Sequence, residues 1–146
     1  MMQVILGWVL IVFPGIMFLI QLISSLNFSL AQKLGLQEKV ETADPLLIRA
    51  ERYTAYWDLL ALIWLPIGGI LMVINHPWWP LVSLIGASIY FDTAGREAAK
   101  NLSFRHGGIR SGTPQEQILF FATYIVMAIL GIFVIFYSLQ ALVSSS

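Results

Sequence analysis

Residues 59–91, LLALIWLPIGGILMVINHPWWPLVSLIGASIYF, carry no formal charge and divide at His76-Pro77-Trp78-Trp79-Pro80 into two apolar runs. Two prolines in five residues forbid helix continuation there, because proline has no N–H to donate and its ring clashes with the preceding turn. Tryptophan pairs suit a lipid headgroup boundary, where an amphipathic ring has one wet edge and one apolar face. The stretch therefore reads as a tight turn between two membrane helices. Pro66 and Gly68-Gly69 interrupt the first of them close to mid-depth. Gly86-Ala87-Ser88 in the second reads as a close-packing patch.

Charge appears on either side of this hairpin. All eight Lys/Arg and all eight Asp/Glu lie between Lys33 and Asp58 or between Asp92 and Glu116. What remains is long enough to cross a bilayer, since about 20 apolar residues span a hydrocarbon layer of ~30 Å. Hydrophobic residues make up 58% of the chain and charged ones 11%, with mean hydropathy +0.81. Soluble domains usually carry about 25% charged residues, so lipid is the expected solvent. The expectation is an all-α integral membrane four-helix bundle in a single domain. Its spans run over about residues 3–26, 59–75, 81–100 and 118–143, with cytoplasmic segments 27–58 and 101–117. The first run is read as a retained span, because a secretory hydrophobic region is shorter and follows positive charge.

Local signals punctuate the helices. Pro14-Gly15 sits inside the first span and predicts a kink. Gly35 is a helix stop. Asp44-Pro45 reads as a capping residue followed by a first-turn proline, and that helix is expected to begin outside the bilayer and enter it near Asp58. Thr113-Pro114-Gln115-Glu116 forms a capping box that opens the last span.

Four spans place both termini and the Trp78-Trp79 turn on one side. Every Lys and Arg (Lys33, Lys39, Arg49, Arg52, Arg96, Lys100, Arg105 and Arg110) then falls on the other. Basic residues in short loops mark the cytoplasmic side, so helices two and three project into the cytoplasm and both termini face out. A bacterial inner (plasma) membrane is the expected location.

The same composition excludes several functions. Net charge is zero, so no nucleic-acid partner is indicated. With no cysteine, disulfides, thiolate metal sites and cysteine nucleophiles are absent. No catalytic constellation is evident: His76 is expected to bond locally in its turn, and His106 lies in a Gly-rich basic loop without phosphate-loop spacing. No cofactor and no metal site are expected.

Asp92 is the sharpest candidate for a site. Pairing the two helices about the turn puts Asp58 level with Glu97, and Asp92 about 7 Å deeper. Charge at that depth is costly and should face the bundle interior. Asp92 and Arg96 are spaced for an ion pair on one helical face, with Lys100 continuing that face and Gly95 leaving room beside it. They are expected to centre a cytoplasm-facing polar pocket, to which Asp58, Arg52, Tyr56, Glu97, Asn27 and Gln21 are possible contributors. A structural clamp is the competing reading of the same pair. Arg105, Arg110, Trp78 and Trp79 are candidates for lipid-headgroup contact.

The function expected from these readings is that of a non-enzymatic accessory or assembly subunit. Its partners would be the lipid bilayer and either a second copy or a larger membrane complex. The alternative is a small oligomeric transporter or channel using the Asp92–Arg96 pocket. A third is a metal-assisted enzyme acting on lipid headgroups, with Asp58, Asp92 or Glu97 holding the ion.

Overall fold

Leu6, Leu10 and Pro14 recur at helical spacing and form the buried stripe of the first helix. A computed structural model describes residues 1–37 and 41–145. Glu38, Lys39 and Val40, in the polar linker expected after Gly35, lie outside the described residues. The helices are α1 (Met2–Leu26), α2 (Phe28–Lys33), α3 (Pro45–Leu62), α4 (Trp64–Val73), α5 (Trp79–His106) and α6 (Pro114–Ser145). No strand occurs among the described residues. An isolated antiparallel bridge joins Ala43 to Ser111, tying together the two loops at the charged end.

Helix ends follow the local chemistry. The Asp44 carboxylate accepts from the Leu46 N–H at 2.8 Å. Thr113 and Glu116 close their box reciprocally: Glu116 N–H donates to Thr113 Oγ1 at 3.3 Å, and Thr113 N–H to Glu116 Oε2 at 2.6 Å. Gly35 takes φ +72°, and Leu36 N–H then returns to Ala31 O at 2.9 Å. That left-handed residue ends α2 and turns the chain back toward the helices. At the 74–78 turn, Trp78 N–H donates to His76 Nδ1 at 3.3 Å, the local bonding expected of that histidine.

α1 runs unbroken through Pro14. The break in the second rod comes at Ile63, between α3 and α4, rather than at Pro66 or the glycines beyond it. Pro66 is still the cause, because its missing N–H leaves the Leu62 carbonyl one turn earlier without a helical partner.

Three helical segments are long and apolar enough to cross a membrane: Met2–Leu26, Pro45–Val73 and Pro114–Ser144. The segment expected to be the third of four spans is helical throughout, as α5. The charges from Asp92 onward keep it out of this apolar set. It packs between α4 and α6.

Glycine sets the closest helix approaches. A Cβ on Gly69 would lie 2.7 Å from the Gly7 carbonyl oxygen, one on Gly86 2.6 Å from the Leu65 nitrogen, and one on Gly131 3.1 Å from the Ala87 carbonyl. Backbones pack directly at these crossings, as small residues permit in membrane helices. Gly68 meets Ser83 as Gly86 meets Leu65, so α3–α4 and α5 run antiparallel. That register lies one turn from the one expected from the turn, and it puts Asp58 level with Thr93 instead of Glu97. Gln3 Nε2 donates to Met72 O at 2.9 Å and to Asn75 Oδ1 at 3.1 Å. Trp79 stacks on Tyr137 with ring centroids 5.5 Å apart. The start of α1, the 74–78 turn and the distal part of α6 thus gather at one end of the molecule.

Candidate functional site

Glu51, Thr54 and Asp58 recur on one face of α3, and Thr93, Glu97 and Asn101 on one face of α5. These two polar stripes face a common cavity of about 290 Å³ near the charged end. α1 contributes Met17, Ile20 and Gln21, and α6 contributes Phe120, Thr123, Tyr124 and Met127. The segment after α2 reaches the rim through Gly35, Leu36 and Gln37. Gln37 Nε2 donates to Ser24 Oγ at 3.1 Å, anchoring that segment to α1. α1 and α6 do not pack along each other, and the cavity occupies the space between them.

An ion cluster borders the cavity. Lys100 Nζ lies 2.7 Å from Glu51 Oε1 and also pairs with Glu97, so one ammonium joins α3 to α5 through two carboxylates. All three side chains are mostly buried. Asn101 Nδ2 donates to Tyr124 OH at 3.0 Å and to the Glu97 carbonyl at 3.1 Å, linking α5 to α6.

Asp58 differs from these neighbours. It is 5% exposed and lies within electrostatic reach of Glu51, Glu97, Lys100 and Arg96. No hydrogen bond or ion pair reaches it among the described residues. Gln21 Oε1, on the facing wall, is likewise buried without a donor. Tyr90, 0% exposed, holds its hydroxyl unpartnered. Buried polar atoms normally find a partner, so the unmet acceptors of Asp58 and Gln21 on one cavity call for an explanation.

The structure redistributes the residues expected to form the site. Asp92 and Arg96 do pair, Asp92 Oδ2 to Arg96 Nε at 2.7 Å, but with their side chains 64% and 53% exposed. The rotation of α5 turns both side chains toward its outer face rather than the interior. Ser83, Ala87, Tyr90 and Ala94 are among its buried residues, and Asp92 sits two residues, or about 200° of helix, beyond Tyr90. Arg96 approaches the cavity only by its tip, Nη2 being 3.5 Å from Thr93 Oγ1. Nor does the pair clamp two helices, since both partners are on α5.

Asp58, Glu97 and Gln21 do line the cavity. Arg52 instead borders an open groove of about 590 Å³ with Asn27, Ser29, Gln32 and Arg49. Tyr56 is half-exposed on the outer face of α3. Asn27 is occupied in capping α2, accepting from Leu30 N–H at 3.0 Å. Of the headgroup candidates, Trp78 is 65% exposed while Trp79 is 8% exposed against Tyr137, which withdraws Trp79 from the lipid boundary. Arg105 is exposed, and Arg110 Nη1 lies 3.5 Å from the Glu41 carbonyl.

Glu51, Thr54, Gln37 and Tyr124 are the functional candidates that sequence reasoning missed. For Glu51 and Thr54 the signal was the repeat of polar residues at positions 51, 54 and 58, facing 93, 97 and 101, a helical spacing that marks one face; Gln37 and Tyr124 carried none. Among the described residues no group of three or more His, Asp or Glu is arranged to hold a metal ion. No protein-family model matches the chain, and comparison with curated proteins and with solved structures returns no match.

Proposed function

We propose that this chain is a small polytopic membrane protein that binds a small solute in the cavity around Asp58, as the core of a transporter or solute receptor. The observation that supports this reading is the carboxylate of a largely buried Asp58, without a partner among the described residues, on a cavity lined by four helices. Taking a carboxylate out of water without a counter-ion costs several kcal/mol, a cost that folding alone gives no reason to retain. The pocket centre moves from Asp92–Arg96 to Asp58, Glu51 and Glu97. The accessory-subunit reading has no comparable feature, because an apolar outer surface is what a bilayer requires of any such protein. A lipid-headgroup enzyme would hold its ion with Asp58, Asp92 or Glu97; Asp92 lies on the exposed face of α5, and among the described residues no group of three or more His, Asp or Glu is arranged to hold a metal ion.

In this reading α5 crosses the membrane with the three apolar helices. The Lys/Arg-rich end is cytoplasmic, both termini are extracytoplasmic, and a bacterial inner membrane is the setting that charge bias fits. The test is a thermal-shift screen of wild type and Asp58→Asn in nanodiscs against cationic, neutral and anionic solutes. At least one class should stabilise wild type and fail with the variant. If no solute distinguishes the two proteins, the solute reading is lost and an accessory role takes its place.

A separate observation favours self-association as well. Asp92 lies 15 residues from Pro77, about 22 Å along the helix, so its exposed pair sits at hydrocarbon depth. Two copies meeting along α5 about a two-fold axis would set each Asp92 against the Arg96 of the other. Gly95, beside the pair, has open space where a Cβ would go, and the chain has no native cysteine. Gly95→Cys should therefore form a disulfide-linked dimer in membranes under mild oxidation. A dimer yield no higher than that of a cysteine placed on the outer face of α1 would count against this interface.

A further inference from the structure

We infer that the cavity around Asp58 takes a protonated amine carried on a short apolar body; this rests on the solute-binding reading above and names its ligand class.

The argument starts from what the cavity lacks. Asp58 and Gln21 Oε1 are both acceptors, they line the same cavity, and neither receives a hydrogen bond among the described residues. The missing group is therefore a donor. Charge narrows it further. Three carboxylates (Glu51, Asp58 and Glu97) line the wall, and the nearest ammonium, Lys100, is engaged by Glu51 and Glu97. Among the described residues Asp58 is left without a counter-ion of its own, so an anionic ligand is repelled and one positive charge is wanted. A bare divalent ion does not suit the wall, which offers no group of three ligands arranged to hold one among the described residues. An alkylammonium supplies a single charge together with several N–H donors, enough for Asp58 and Gln21 at once.

The rest of the wall is apolar. Met17, Ile20, Leu62, Phe120 and Met127 surround the polar strip, giving an alkyl or aryl body a dry place and the ammonium polarisable neighbours. The cavity, about 290 Å³, is at the lower end of the ~300–1,000 Å³ of small-molecule sites, which limits that body to a single ring or a short chain. Two sources carry this chemistry: a free amphiphilic amine, or the ethanolamine headgroup of a lipid entering between α1 and α6.

The full chain in nanodiscs of phosphatidylcholine and phosphatidylglycerol is titrated with 2-phenylethylamine, 2-phenylethanol and phenylacetate, reading the melting temperature. Wild type should gain stability saturably with the amine and not with the alcohol or the acid. Asp58→Asn should weaken that response by roughly thirtyfold or more, the scale of losing the charged partner of a desolvated pair. Asp92→Asn, which removes the other deep acid on an exposed face, should leave it intact. Asp58→Asn is expected to fold, because it removes an uncompensated charge without changing shape. An Asp58-dependent response to the alcohol or the acid in place of the amine overturns the amine assignment while the solute cavity stands. If none of the three binds, the same pair of proteins is compared in nanodiscs enriched in phosphatidylethanolamine. An Asp58-dependent gain there assigns the ammonium to lipid, and no gain overturns both the amine and the solute reading.

Discussion

A carboxylate such as Asp58 is expensive where it stands. It lies 16 residues from Ile74, about 24 Å along the rod at 1.5 Å per residue, within a hydrocarbon layer of ~30 Å. Lys100 stands about two turns away, level with Glu51, and is shared by Glu51 and Glu97, so the four groups carry more negative than positive charge. Opposite outcomes follow for two substitutions. Asp58→Asn removes a charge that has no partner among the described residues and should leave the melting temperature in detergent unchanged or raised. Lys100→Met strands two mostly buried carboxylates and should cost on the order of 3–5 kcal/mol. Adding Glu51→Gln to Lys100→Met should restore part of that loss, and a double-mutant cycle measures the coupling. Equal losses for Asp58→Asn and Lys100→Met would mean that Asp58 has a partner after all.

Among the helices, the end signals were readable in advance and the rotations were not. Asp44, Thr113 with Glu116, and Gly35 act through bonds to residues two to four positions away, so their chemistry is contained in the local string. The facing of α5 is not local. Its buried residues include Ser83, Gly86, Ala87, Thr93 and Ala94, while Leu81, Ile85 and Phe91 point outward. In lipid a large apolar side chain gains nothing by turning inward, and small residues win the interface because they let backbones approach. Apart from Trp79 and Tyr90, which are buried, reading hydrophobicity as burial therefore misplaces this helix. Depth was legible by counting, which is why Asp92 stood out, but its direction was not. The same packing rule separates two glycines. Gly69→Ala places a methyl 2.7 Å from the Gly7 carbonyl and should cost about 1–3 kcal/mol by overpacking the α1–α4 crossing. Gly15→Ala meets nothing within 4 Å and should be neutral or stabilising by up to ~1 kcal/mol, the helix preference for alanine. Thermal unfolding of both variants in one detergent compares them directly, and equal losses would mean that the α1–α4 crossing is looser than drawn.

For the molecule as a whole, the absence of native cysteine makes orientation directly measurable. Ser103→Cys near the charged end and Trp78→Cys at the turn are both exposed positions. In intact cells a membrane-impermeant maleimide should label Trp78→Cys and reach Ser103→Cys only after permeabilisation. Labelling of Ser144→Cys without permeabilisation would agree with α5 crossing. Protection of Ser144→Cys, with Trp78→Cys still labelled, would mean three crossings and a C-terminus on the cytoplasmic side.

The amino-acid string was sufficient for the membrane class, for helices long and apolar enough to cross a bilayer, and for the helix caps. Each of these depends on composition or on neighbours within a turn. Which acids share a cavity was decided by the packed helices alone. The Gly7–Gly69 and Leu65–Gly86 crossings set the rotation and register that bring Glu51, Asp58 and Glu97 to one wall and turn Asp92 outward. Lipid bathes every outer face equally, so hydrophobic pattern carries no instruction for that rotation, and backbone contact at small residues supplies it.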